Sequence, residues 1–278
     1  MKKFNVKGLC CLEENYMVDM NIKIAKIKNL VSDRIYFSAG NTPKCGKSTV
    51  LAALARRLKH QYTVVSVNFN QPGSDYLISP ENFCREFIRQ VADELNFISS
   101  DKEYIKKWAD CGANNFISLS SHIGELCRNK KVVLIIDNAD ITNEIFTDFL
   151  VMLGAKYMFR ENGGEEATFH SVVLAEASGG KNTELPEKIN NPPWNTMRDY
   201  GVDMAFNAAE IAGMLREYEA DHNTGMNIAG ISEEIFTYTS GYLYLVSMLC
   251  RYIDEYLDKD WTLEGIDSAM SLYLKENH

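Results

Sequence analysis

No apolar run in this sequence approaches the roughly 20 residues of a membrane-spanning helix, so no bilayer anchor is predicted. It has no CxxC pair. Cys10 and Cys11 are adjacent, and Cys45, Cys84, Cys111, Cys127 and Cys250 are scattered. Seven cysteines without regular spacing exclude a disulfide framework and a structural zinc site, and suit a reducing compartment. The five histidines, at 60, 122, 170, 222 and 278, show no metal-ligand spacing either. Cations are the minority: 29 Lys and Arg stand against 38 Asp and Glu, for a net charge of -9. That balance argues against tight nucleic-acid binding, which needs clustered Lys and Arg, and leaves only contact through a local patch. Lys2 and Lys3 are followed by no apolar run, and Glu13, Glu14 and Asp19 arrive early. The expectation is a cytoplasmic protein without a signal peptide or membrane contact.

What is present is enough apolar residue, 46%, to bury a core without cross-links. Strand-like and helix-like segments alternate, which predicts a parallel sheet covered by helices. The predicted strands are Arg34 to Ala39, Tyr62 to Phe69, Lys131 to Ile136, Phe169 to Ala175 and Val202 to Phe206. Helices are predicted over Asn21 to Val31, Ser48 to His60, Glu81 to Leu95 and Asn143 to Phe159, and over much of 101 to 129. Residues 178 to 200, rich in Gly, Pro and Asn, read as a long loop. After Asn207 only helical periodicity remains, at 208–220, 232–239, 243–257 and 263–274. The division expected is an α/β domain over 1–206 and a small helical domain over 207–278.

Between the first strand and its helix lies Gly40-Asn41-Thr42-Pro43-Lys44-Cys45-Gly46-Lys47-Ser48-Thr49. A phosphate-binding loop needs that strand–loop–helix context. Backbone N–H groups and the helix dipole make an anion site there, and Gly46 lets the backbone approach the phosphates. Lys47 is expected to reach the β- and γ-phosphates, and the Ser48 hydroxyl to ligate Mg²⁺. The nucleotide-contacting stretch is therefore Asn41, Thr42, Pro43, Lys44, Cys45, Gly46, Lys47, Ser48 and Thr49. The usual first glycine falls at position 41, where Asn, the residue that best tolerates positive φ after Gly, stands instead. A Gly-Lys-Ser triplet arises by chance in about one chain in ten of this size; the strand before it and the helix after it argue for a working loop.

Val132-Val133-Leu134-Ile135-Ile136-Asp137 is an apolar strand ending in a carboxylate, the Walker B form, whose Asp supports Mg²⁺. P-loop folds with a strand inserted between the two motifs usually follow that Asp with a Glu, which polarises the attacking water. Here the position is Asn138. An amide does not accept a proton as a carboxylate does, so hydrolysis is expected to be slow unless another carboxylate serves. Asp140 is the nearest substitute, with Glu144 and Glu176 behind it. Catalysis is thus assigned to Asp137 and Asp140, and metal binding to Ser48 and Asp137.

The chain resembles the bacterial AAA-like P-loop ATPases related to archaeal-type and signal-transducing ATPases. The segments that carry the resemblance are NYMVD at 15–19, the loop ending GKST, VVSVNF at 64–69, VVLIID, and FHSVVLA at 169–175. NPPWN at 191–195, VDMAF at 202–206, IAGMLREY at 211–218 and TSGY at 239–242 complete it. The resemblance implies strand order 5-1-4-3-2, a C-terminal helical lid, and ATP with Mg²⁺ as ligands. It also implies a γ-phosphate sensor after the fourth strand, for which Ser178 or Lys181 are the candidates. The lid motif Gly-x-Pro is here Gly241-Tyr242-Leu243, without the Pro.

Two readings follow. One is a nucleotide-dependent switch that binds ATP or ADP in the cleft between core and lid, with a protein partner or self-association through the lid. The other is a non-hydrolysing interaction module. A small-molecule kinase is disfavoured, because no Arg-rich lid separates the fourth and fifth strands. Trp194 is open to two roles, adenine packing or anchoring of its loop. Arg56, Arg57, Arg160 and Arg216 are candidate arginine fingers with nothing to single one out.

Overall fold

The apolar runs marked as strands pair into one parallel sheet. A computed structural model describes residues 2–6, 11, 13–39, 47–69, 74–165, 167–176, 186–195 and 205–276, without the side chains of 47–49, 74, 75 and 176. Contacts divide the chain into two units, residues 24–43 with 51–203 and residues 1–23 with 44–50 and 204–278. The sequence expectation drew one line at 206/207 and grouped the N-terminal residues with the sheet.

In the first unit the strands are β1 (Tyr36–Ser38), β2 (Thr63–Asn68), β3 (Val132–Ala139) and β4 (Ser171–Glu176). Their order is β1-β4-β3-β2, all parallel. This agrees with the 1-4-3-2 portion of the expected order. The fifth strand is corrected: the sheet has four strands among the described residues. Val202, Asp203 and Met204 lie outside those residues, and Ala205 and Phe206 are not in a strand. The N–H of Phe206 donates to the carbonyl of Gly241 at 2.9 Å, so it is spent on a helix connection instead. β1 is shorter than expected because the chain is still leaving the preceding helix α1 (Asn21–Ser32). The Ile35 N–H donates to Leu30 O at 3.1 Å, and Arg34 is left-handed at φ 62°.

The helices of this part are α2 (Lys47–Leu58), α3 (Pro80–Ile98), α4 (Lys102–Ala109), α5 (Phe116–Cys127) and α6 (Glu144–Glu161). Each of α3 to α6 opens on a side-chain cap, Ser79, Asp101, Asn115 and Asn143 respectively, which satisfies the first orphan N–H groups. Phe83 and Phe87 of α3 pack against Phe149 of α6 at 4.9 and 5.0 Å between ring centres. Among the described residues β2 is an edge strand. Thr63 and Phe69 donate to Lys131 and Asp137, so alternation turns Val64, Ser66 and Asn68 toward the open edge. The Asn68 N–H is taken by the Gln90 side chain at 2.7 Å. One turn along α3, Glu94 faces the Ser66 N–H. These two side chains blunt an edge that would otherwise template strand pairing.

Trp194 anchors its loop in the core, the second of its two expected roles. It is buried, its Nε1 donates to Leu150 O at 2.7 Å, and its ring lies 5.7 Å from that of Tyr36. α6 makes room for it with Gly154, where an added Cβ would stand 2.7 Å from the indole nitrogen.

At the start of β4, His170 rests on the Tyr62 ring at 5.0 Å. Its Nε2 is buried with no hydrogen-bond partner among the described residues. Burial, then the positive charges of Arg34, Lys131 and Arg160, lower its pKa to about 4, against a weaker upward pull from the Val31 backbone. The unfolded chain, near pKa 6.5, therefore binds the proton first. Stability is flat above pH 6.5 on this account and falls as pH drops toward 4. The expected loss is roughly 1–2 kcal/mol, allowing for solvent screening of a half-buried ring. Urea unfolding at pH 7 and pH 4.5 should show a larger drop for wild type than for His170→Gln. An equal drop would remove His170 from the account.

In the second unit, α7 (Ala208–His222), α8 (Ile228–Thr239), α9 (Leu243–Tyr256) and α10 (Leu263–Glu276) form a helical cluster. Asn207 and Glu210 cap α7 reciprocally at 2.9 Å each way. Phe4 and Tyr16 pack here: the Phe4 ring lies 5.1 Å from Tyr16 and 5.2 Å from Tyr218. The Tyr16 hydroxyl donates to Asp221 at 2.9 Å, and the Tyr16 N–H donates to Lys3 O at 3.1 Å. Met248, Leu249 and Tyr252 of α9 are buried core of this cluster. No helix among the described residues is long and apolar enough to cross a membrane.

Candidate functional site

Parallel strands bring their carboxyl ends to one side of the sheet, where open α/β folds hold ligands. The register sets Asn68 of β2 opposite Asp137 of β3. Around Asp137 the pairing of β3 with β4 shifts, between Ile136 and Ala139. The residue at that irregularity is Asn138, in the left-handed region at φ 58°. Asn is the side chain best suited to that conformation after Gly, so the local backbone accounts for an Asn there.

The turn is tied on both sides. The Asn138 N–H donates to Asp137 Oδ1 at 3.0 Å, and Asn138 Nδ2 donates to Asn68 Oδ1 at 3.1 Å. The Phe69 N–H donates to the Asp137 carbonyl at 3.1 Å, and the Tyr76 hydroxyl donates to Phe69 O. Behind Asn68, Gln90 passes the contact to Glu86 at 2.8 Å, and Arg89 pairs with Glu86. The Arg89 guanidinium, first among the causes, holds the Glu86 carboxyl below its usual range. Asn68 is the functional candidate that the sequence reading passed over. A polar residue ending the strand before the one that carries Asp137 is its only signal in the sequence.

Asp140 stands three residues beyond Asp137, in the turn leading to α6. Its Oδ1 accepts from the Thr142 N–H at 3.0 Å and the Thr142 hydroxyl at 2.6 Å. Asp137, Asn138 and Asp140 are all half-buried. Glu144 is exposed and paired with Lys188 at 2.9 Å, which keeps its carboxyl below the usual range. Of the two substitutes whose side chains are described, Asp140 is thus the one held beside the end of β3, and Glu144 is committed to an ion pair.

Of the loop itself, Asn41, Thr42, Pro43, Lys44, Cys45 and Gly46 lie outside the described residues, as do Ser178 and Lys181. Lys47, Ser48 and Thr49 form the first turn of α2, and their side chains are likewise not described. Glu176 ends β4, also without a described side chain. What the structure does give is the flanking context: β1 ends at Ser38, the Ala39 N–H still donates to Leu174 O at 2.9 Å, and a helix starts at Lys47. The Asp137 carboxylate is a hard oxygen donor of the kind Mg²⁺ prefers.

A family model described as an AAA-like domain matches residues 28–267. Among solved structures, a Walker-type ATPase of Pyrococcus abyssi is similar in fold, with a TM-score of 0.58 and 13% identity over 98% of this chain and 77% of that one. Cdc6p from Pyrobaculum aerophilum aligns with a TM-score of 0.49 and 12% identity over 88% of this chain, which spans 63% of that one. No curated protein matches.

Proposed function

We propose that this chain, which belongs to the AAA-like domain family of P-loop ATPases, binds ATP with Mg²⁺ through Asn41 to Thr49 and Asp137 and hydrolyses it slowly. The observation that carries this reading is the Asp137-Asn138 pair at the end of β3, with Asn138 fixed at φ 58° and bonded to Asn68. Lys47 neutralises the β- and γ-phosphates, and Ser48 and Asp137 hold the metal. Mg²⁺ supplies charge neutralisation across the phosphates. Asn138 can orient a water through its amide but cannot take its proton. Asp140 is the carboxylate left for that task, and its Oδ1 is held in place by the Thr142 N–H and hydroxyl.

On this reading the functional division is 1–206 for nucleotide and 207–278 for the lid. The γ-phosphate biases the lid's position, and the lid meets a protein partner or a second copy. A cytoplasmic setting suits the ligand. The non-hydrolysing module is the second reading, and the hydrogen-bonded amide of Asn138 favours it.

Two measurements test these roles. Asp137→Asn should weaken ATP binding in the presence of Mg²⁺ by about 10- to 100-fold, while binding in EDTA changes little. Equal losses in both conditions would mean that Asp137 acts on structure rather than on the metal. Single-turnover hydrolysis separates the slow enzyme from the module: conversion of bound ATP within minutes supports the first, and ATP intact after hours supports the second.

A further inference from the structure

β2 has a second end, roughly 17 Å along the strand from Asn68. There a groove of about 580 Å³ opens between the last turn of α2, the first residues of β2 and the last turn of α3. α2 contributes Arg56, the turn after it Lys59 and His60, all exposed, and Lys130 adds a further cation. α3 contributes Phe97, 86% exposed, and Ile98, 45% exposed.

Two features single this place out. A chain of net charge -9 gathers three cations and a histidine on one groove. Among the described residues, neither Arg56 nor Lys59 has a carboxylate within 4 Å; Arg56 only touches its own helix, at Ala52 O, 3.4 Å away. The Lys130 ammonium sits over the Tyr104 ring at 3.6 Å. A helix C-terminus favours nearby cations, but it does not account for an aromatic ring and an isoleucine left in water beside them.

We propose that this groove docks an acidic peptide segment of a partner protein, one that carries an apolar side chain among its carboxylates. Carboxylates meet Arg56, Lys59 and Lys130, and the apolar side chain covers Phe97 and Ile98. The occupant adds little as a β-strand, because Gln90 and Glu94 already face the edge N–H groups of Asn68 and Ser66 and leave only Val64. Recognition therefore rests on side chains. A nucleic acid fits less well. Ile98, 45% exposed, offers a base no ring to stack on, and three cations are few for a phosphodiester chain.

The test is fluorescence anisotropy with a short fluorescein-labelled peptide of Glu and Asp around one Leu and one Phe. Controls are the same peptide with Lys for each acid, and labelled oligothymidylate. Saturable binding of the acidic peptide is expected. Lys59→Glu and Phe97→Ser should each weaken it at least about tenfold, and the Lys peptide should not bind. Both side chains are exposed, so the variants should fold, which circular dichroism verifies; Arg56→Glu is an independent second charge reversal. Absence of saturable binding, binding that survives either substitution, or preference for oligothymidylate overturns the proposal.

Discussion

Gly241→Ala is expected to lower the free energy of unfolding by about 2–5 kcal/mol. Gly241 follows α8 at φ +73°, directly after Ser240, itself left-handed at φ 48°. A Cβ at this position would overlap the backbone of Phe206, its carbonyl oxygen above all. The two segments are also joined: the Phe206 N–H donates to Gly241 O at 2.9 Å, and the Gly241 N–H donates to the Thr239 hydroxyl at 3.2 Å. Alanine pays about 1–2 kcal/mol for the left-handed backbone. Overpacking against backbone adds about 1–3 kcal/mol, because no flexible side chain can yield. Gly213, within α7, is the control, since a Cβ there meets nothing within 4 Å. Gly213→Ala should be neutral or stabilising by up to about 1 kcal/mol. Urea midpoints of the two variants decide it. A Gly241→Ala loss under 1 kcal/mol would contradict the close approach of Phe206.

Asn138→Glu should raise steady-state ATP hydrolysis about ten- to a hundredfold. A positioned general base contributes about 10²- to 10⁴-fold. The structure lowers the gain expected from sequence alone. Glu at φ 58° gives up about 1–2 kcal/mol relative to a residue suited to that region. It also loses the amide donor to Asn68 Oδ1. Asn138→Asp tolerates the backbone better and presents a shorter carboxylate, so it should fold like wild type and gain less activity. Asp140→Asn should lower whatever basal rate exists. A wild-type rate already typical of AAA enzymes, with no gain from Glu or Asp, would sink the idea that Asn138 limits turnover.

Local pattern carried the sheet. Continuous apolar runs bounded by turns located β1 to β4, and their alternation with amphipathic segments implied parallel pairing. Side-chain caps explain why helix starts were close: Ser79-Pro80 and Asn143 act within the chain's own next turn. α8 was an exception. It begins at Ile228, capped by Asn227, four residues before the predicted start at Ser232, because Gly230 masked the early periodicity. What failed was decided at long range. Val202 to Phe206 alternates like a strand, yet the Phe206 N–H belongs to Gly241, 35 residues on. Phe4 and Tyr16 pack with Tyr218 and Trp261, a grouping no window of sequence contains. At the site, the Asp137-Asn138 substitution was visible in the letters. The conformation that suits Asn, and the partner Asn68, were not, since φ and cross-strand neighbours depend on the register between β2 and β3.

The central claim, nucleotide held by the loop at Lys47 and Ser48, is tested most directly by calorimetric titration with ATP, ADP and GTP in Mg²⁺, on wild type and Lys47→Ala. The account predicts saturable binding of ATP and ADP to wild type, ATP preferred over GTP, and a loss of at least about a hundredfold in Lys47→Ala at unchanged thermal stability of the free protein. Wild type that binds no nucleotide, or Lys47→Ala that binds as tightly as wild type, would contradict it.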